Sequence, residues 1–231
     1  VADSAVTCEE SIGGRKGCYV LNGVRKLQPI PYLRAGLSMW GLGTIPATGR
    51  YVSTDVWADD FIRRHSSVGG LGDFASALLK ELVSNEHEIR DPIGFHLAGY
   101  VPVGDRMLPT LYHVRNVDGD YEHYDMHPFV LGHDIPPQEI GDIPLFRRNG
   151  DYGPYAVLEE TTRHFLPIIK AKMGLDIPHP SLRGRVAYHC GWVRFVSDLY
   201  ESASLLRTIG GRVSALSIDS RGNMDFHQMV G

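Results

Sequence analysis

Five residues of the chain are of types that could do chemistry at an amide or ester carbonyl: Asp3, Lys26, Gly36, Ser38 and Asp151. Asp3 closes a short segment, Val1-Ala2-Asp3-Ser4-Ala5-Val6-Thr7. Lys26 follows a glycine turn in Gly23-Val24-Arg25-Lys26-Leu27, where it begins a new strand. Gly36 and Ser38 belong to the small-residue run Ala35-Gly36-Leu37-Ser38, whose backbone N–H groups could face a substrate carbonyl or its oxyanion. The same residues also suit bland roles. Asp3 could bond nearby backbone N–H groups as a turn residue, Lys26 could be a solvated strand-edge lysine, and Gly36 and Ser38 could serve close packing. Asp151 lies in Gly150-Asp151-Tyr152-Gly153-Pro154-Tyr155, which also reads as a loop with proline near a helix start. Ser4 lacks the G-x-S-x-G context of a serine-hydrolase elbow.

Histidine is abundant, with 11 residues, and His113, His123, His127 and His133 lie close in sequence. Zinc needs three or four ligands at short distances. No His-Glu-x-x-His or Cys-x-x-Cys spacing is present, so neither a metal nor a cofactor is expected, and this stretch reads as a solvated loop. His189 and Cys190 are adjacent on an expected helix and point apart.

The elements that would position these residues follow from periodicity and punctuation. Residues 1–7 read as the end of a strand, and Ser11–Gly17 as a turn or hairpin. Cys18–Leu21 and Lys26–Ile30 read as strands around Asn22-Gly23, followed by a strand over Leu33–Met39. Helices are expected over Asp55–His65, with Val56, Trp57, Phe61 and Ile62 on one face and Ser53 or Thr54 as cap, and over Leu71–Val83. Gly94–Val101 and Pro109–Val114 read as strands. Four prolines between Tyr121 and Phe146 suggest an irregular insertion at about 121–148. Further helices are expected over Tyr155–Met173, broken or kinked at Pro167, and over Val186–Leu206. Strands then read over Val213–Ile218 and Met224–Met229. Strands, helices, strands, helices and strands in this order predict an α+β fold, expected as a single domain over 1–231.

The 231 residues can bury a sizeable core. The 43% hydrophobic and 22% charged content is that of a soluble globular protein. A net charge of −4 argues against nucleic-acid partners, which favour a basic face. No apolar run nears the roughly 18 residues of a membrane span. Three cysteines, few and odd in number, suit reduced thiols and a cytoplasmic location.

Taken in order, several short motifs resemble the proteasome-type N-terminal-nucleophile hydrolases and their bacterial ATP-dependent relatives. They are Ala2–Thr7, Gly23–Leu27, Ala35–Ser38, Gly99-Tyr100 with Leu111–Val114, Gly150–Ala156 and Ile209–Val213. The resemblance covers roughly residues 1–115 and 149–220. It implies a four-layer αββα sandwich. In that family the α-amino group of a Thr, Ser or Cys activates the residue's own nucleophile. On that pattern Lys26 is the electrostatic partner, Asp3 orients it, Asp151 approaches the amine, and Gly36 and Ser38 bind substrate. Ser38 stands where many members have glycine, and Asp151 where serine is usual. The nucleophile is expected ahead of Val1, so residues 1–231 alone should be inactive. The implied activity is a peptidase or amidohydrolase acting on peptides or proteins, with self-association or related subunits and an ATPase as possible partners. The alternative is a non-catalytic member with an assembly role. Phe165, Ile168 and Ile169, with Trp192, Phe195 and Leu199, exceed one core-facing stripe and predict self-association.

Overall fold

Alternation of small or polar with apolar residues over 35–41 and 93–98 makes two strands that pair residue for residue, and the rest of the fold builds on them. A computed structural model describes residues 2–12, 15–21, 23–47, 49–85, 89, 91–117, 120–130, 153–203 and 209–229. It is an α+β structure, with antiparallel strand pairs and four α-helices among the described residues. The contacts gather into two units, each assembled from separated segments. No described helix is long and apolar enough to cross a membrane.

One unit comprises Lys26–Arg147 and Ile218–Asp225. Its sheet has the order β3 (Leu27–Ile30), β4 (Ala35–Gly41), β7 (Ile93–Val103), β8 (Arg106–Val117) and β9 (Asp120–Val130), antiparallel throughout. A smaller ribbon pairs β5 (Thr44–Ala47) with β6 (Arg50–Ser53). The register aligns Leu37 with Leu97, Met39 with Phe95, and Phe95 with Val114 on one face. That face meets α1 (Thr54–Arg64) and α2 (Leu71–Ser84). Trp57 packs on Phe95 at 5.7 Å between ring centroids, and Phe61 meets Phe74 edge-on at 5.2 Å. Phe61, Phe74, Leu78, Leu82, Phe95 and Leu97 are fully buried, each contributing about 1.5–3 kcal/mol relative to exposure. Gly99 leaves room for Leu71, which a Cβ there would crowd. Asn116 fastens the start of β7, accepting from the Ile93 N–H and donating to the Asp91 carbonyl, each at 2.9 Å.

The segment expected to be irregular is in part the strand β9. Proline removes a ladder donor, but Pro128 sits on a strand that is at the sheet edge among the described residues, where one side needs no partner. Positions 131–148 lie outside the described residues. The turn Asp219–Asn223 is as expected: the Asp219 carboxylate accepts from the N–H groups of Arg221 and Asn223, and Gly222 has φ +80°.

The other unit comprises Val1–Arg25, Arg148–Ser217 and Phe226–Gly231. It holds the hairpin β1 (Val6–Ile12) with β2 (Arg15–Leu21), the helices α3 (Gly153–Met173) and α4 (Leu182–Ser202), and most of the pair β10 (Val213–Ile218) with β11 (Met224–Met229). β2 turns back on β1, whereas the expected strand on the far side of Asn22-Gly23 pairs with β4. Ser181 caps α4 through its hydroxyl, which accepts from the Gly184 N–H. Val186, Cys190 and Val193 recur at helical spacing and pack on Val213 and Ala215 of β10. Helix α3 runs through Pro167 and carries no buried residue.

Candidate functional site

Asp3 and Ser4 form a junction of hydrogen bonds within their unit. Asp3 Oδ2 accepts from the Gly210 N–H at 2.9 Å and the Ala5 N–H at 3.2 Å. The buried Ser4 hydroxyl accepts from the Arg212 N–H at 2.8 Å and the Gly23 N–H at 3.3 Å. Backbone bonds reinforce both: Ser4 and Ala5 donate to the Gly210 carbonyl, Val24 donates to the Ser4 carbonyl, and Ala2 exchanges two bonds with Ser214. The chain between β1 and its N-terminal end is thereby tied to the entry of β10. A carboxylate held by two N–H donors has a fixed position, the property an orienting group needs.

Lys26, Gly36 and Ser38 lie in the sheet unit. Lys26 is half-buried just ahead of β3, and its carbonyl accepts from the Met39 N–H at 2.9 Å. Since N–H groups alternate sides along a strand, those of Gly36 and Ser38 turn the other way, toward β7. There they stand opposite Ala98 and His96. The backbone of β4 is thus flanked on both sides, and a substrate carbonyl approaching these N–H groups would compete with the ladder. Asp151 lies outside the described residues.

The sheet also gathers side chains that linear spacing does not connect. Register places Ser38 opposite His96, and His96 opposite His113. The His96 and His113 rings stand 4.6 Å apart, edge to face, with the Trp40 ring 6.2 Å from His113. These residues occupy the face opposite α1 and α2 and are all half-buried. The Trp40 indole lies over Gly94, where any Cβ would run into it. Arg115, two residues beyond His113, keeps a buried Nε with no acceptor among the described residues. His123 and His127 fall in β9 rather than in a loop, and His133 lies outside the described residues. The signal that could have found this cluster is strand pairing, which is invisible in spacing along the chain.

Cys190 and Tyr100 are among the described groups with perturbed titration. Burial pushes the Cys190 thiol up, away from the reactive thiolate. Burial, then the nearby Asp219 carboxylate, raises the Tyr100 phenol, whose hydroxyl donates to the Ile218 carbonyl at 3.3 Å. Among the described residues, no group of three or more His, Cys, Asp or Glu side chains stands together as a metal site. No protein-family model matches the chain, and no curated protein shows significant similarity to it.

Proposed function

We propose that the chain is a proteasome-like N-terminal-nucleophile peptidase or amidohydrolase. The observation that carries this reading is the Asp3–Ser4 junction, a carboxylate locked by two backbone donors at the head of β1. By the family resemblance Asp3 is the group that orients Lys26, which in turn would hold down the pKa of a nucleophile's α-amine and steady developing charge. The motif order from Ala2–Thr7 to Ile209–Val213 and the α+β architecture favour the same family, with its four-layer αββα arrangement.

On this reading a Thr, Ser or Cys N-terminal to Asp3 attacks an amide carbonyl, and its own α-amine takes the proton. An acyl-enzyme forms, the amine leaves, and water releases the acid. Gly36 and Ser38 would contribute through small size, which admits a substrate to the strand, rather than through N–H groups already turned to β7. Asp151 is assigned by motif order to the vicinity of the amine. Peptide or protein substrates, related subunits and an ATPase partner follow from the family resemblance, as does a cytoplasmic location.

One observation favours a second reading, a non-catalytic assembly subunit. Helix α3 buries none of its residues and exposes Val157, Phe165, Ile168 and Met173, the kind of apolar face that subunit contacts cover. Mass spectrometry of the mature natural protein separates the two. An N-terminal Thr, Ser or Cys is expected for the hydrolase. A mature terminus without any of these would overturn it.

A further inference from the structure

We propose that the connection between α3 and α4 is a docking tip for an anionic lipid surface, with Met173, Leu175, Ile177 and Leu182 entering the interface and Lys172, Arg183 and Arg185 meeting the headgroups. The proposal stands apart from the hydrolase reading and uses none of its residues.

The tip combines apolar exposure with local positive charge. Every residue from 170 to 177 is exposed, so the connection projects instead of packing. Its four large apolar side chains are between 39% and 66% exposed. Around them stand Lys170 and Lys172, in the last turn of α3, and Arg183 and Arg185, at the start of α4. Four cations thus face one carboxylate, Asp176, over positions 170–185, in a chain whose net charge is −4. Lys170 pairs with Asp176 at 2.7 Å. Lys172, Arg183 and Arg185 are exposed and make no ion pair among the described residues.

Local bonds give the tip a defined shape. The Gly174 N–H donates to the Lys170 carbonyl at 2.9 Å and ends α3, with Gly174 at φ +67°. His179 Nδ1 lies 2.9 Å from the Ser181 hydroxyl, which caps α4. His179 also packs over Gly184, where any Cβ would run into it. The apolar side chains are therefore held outward by a built connection.

This layout matches the depth profile of a membrane interface. Apolar side chains lower their free energy at the boundary of the acyl chains, while Lys and Arg stay level with the headgroups. Anionic lipid adds attraction for each cation, which salt screens. A protein partner fits less well: positions 170–185 hold no Phe, Tyr or Trp, and protein interfaces favour Tyr and Trp as anchors.

The test is cosedimentation of the full chain with vesicles of phosphatidylcholine alone and of phosphatidylcholine mixed with phosphatidylserine. Binding to the mixed vesicles is expected, weakening as salt is raised. Lys172→Ala, Arg183→Ala and Arg185→Ala should each weaken it by about fivefold. Leu175→Glu combined with Ile177→Glu should abolish it, with circular dichroism unchanged because both side chains are exposed. Val157→Glu, an exposed position in the first turns of α3, should bind as the wild type does. Equal binding to both kinds of vesicle, or to neither, would overturn the proposal. So would full binding by the folded Leu175 and Ile177 double variant. Self-association that this variant loses, with vesicles ignored by the wild type, would overturn it in favour of a second copy of the chain.

Discussion

Replacing Asp3 tests whether the carboxylate fastens the chain as the geometry indicates. Asp3 Oδ2 accepts from Gly210 and Ala5, the former at 2.9 Å and part-buried. A hydrogen bond to a charged group contributes roughly 1.5–3 kcal/mol net, and a neutral one roughly 0.5–1.5. The Ala5 bond is longer and local, so Gly210 dominates, and water at the half-buried site recovers part of the loss. Asp3→Ala should therefore cost about 2 kcal/mol. Asp3→Asn keeps an acceptor oxygen but loses the charge, and should cost about 1 kcal/mol or less. Equilibrium urea unfolding reads both, with the midpoint falling at constant slope. If Asp3 also orients Lys26, Asp3→Asn should lose amide turnover out of proportion to its small stability loss. An Asp3→Ala protein within about 0.5 kcal/mol of wild type would refute the fastening role. Full turnover in Asp3→Asn would refute the orienting role.

Two other outcomes are expected. The raised Tyr100 phenol favours the neutral form in the fold, so its contribution is complete below the ordinary phenol value of 10.0 and is lost as pH rises through the higher folded value. Denaturant midpoints measured from pH 8 to about 10.5 should fall less for Tyr100→Phe than for wild type, and parallel curves would contradict this. The apolar residues exposed on α3 predict self-association into at least a dimer. Sedimentation at micromolar concentration should show it, with Phe165→Glu plus Ile168→Glu shifting the protein to monomer; a monomeric wild type would count against it.

Where local signals agreed with tertiary demands, the elements were legible. Helix α1 begins after Ser53 and buries Trp57, Phe61 and Ile62 as periodicity requires. Val56 does not join that face and is 53% exposed, because it lies about 100° around the helix from Trp57. The glycine-rich turn Asp219–Asn223 and the strand Val213–Ile218 were equally plain. β9 was not, because Pro128 and the prolines that follow it in sequence mimic a loop and only pairing with β8 makes it a strand. The partners of β2 and β3 were hidden for the same reason: a turn signal marks a change of direction but not which strands meet. The candidate site divides likewise. Asp3 and Lys26 could be singled out by type and order, but the Gly210 and Ala5 bonds to Asp3 and the His96–His113 contact depend on folding.

The central claim is amide hydrolysis supported by Lys26, and its direct test is Lys26→Ala in the natural protein with its mature N-terminus intact. Loss of a positioned charge in a site of low dielectric should remove about 3 kcal/mol of transition-state stabilisation, or about a hundredfold in turnover of a fluorogenic peptide amide. Autoprocessing should fail alongside, while the thermal unfolding midpoint stays near that of wild type. Undiminished turnover in the folded variant would contradict the account.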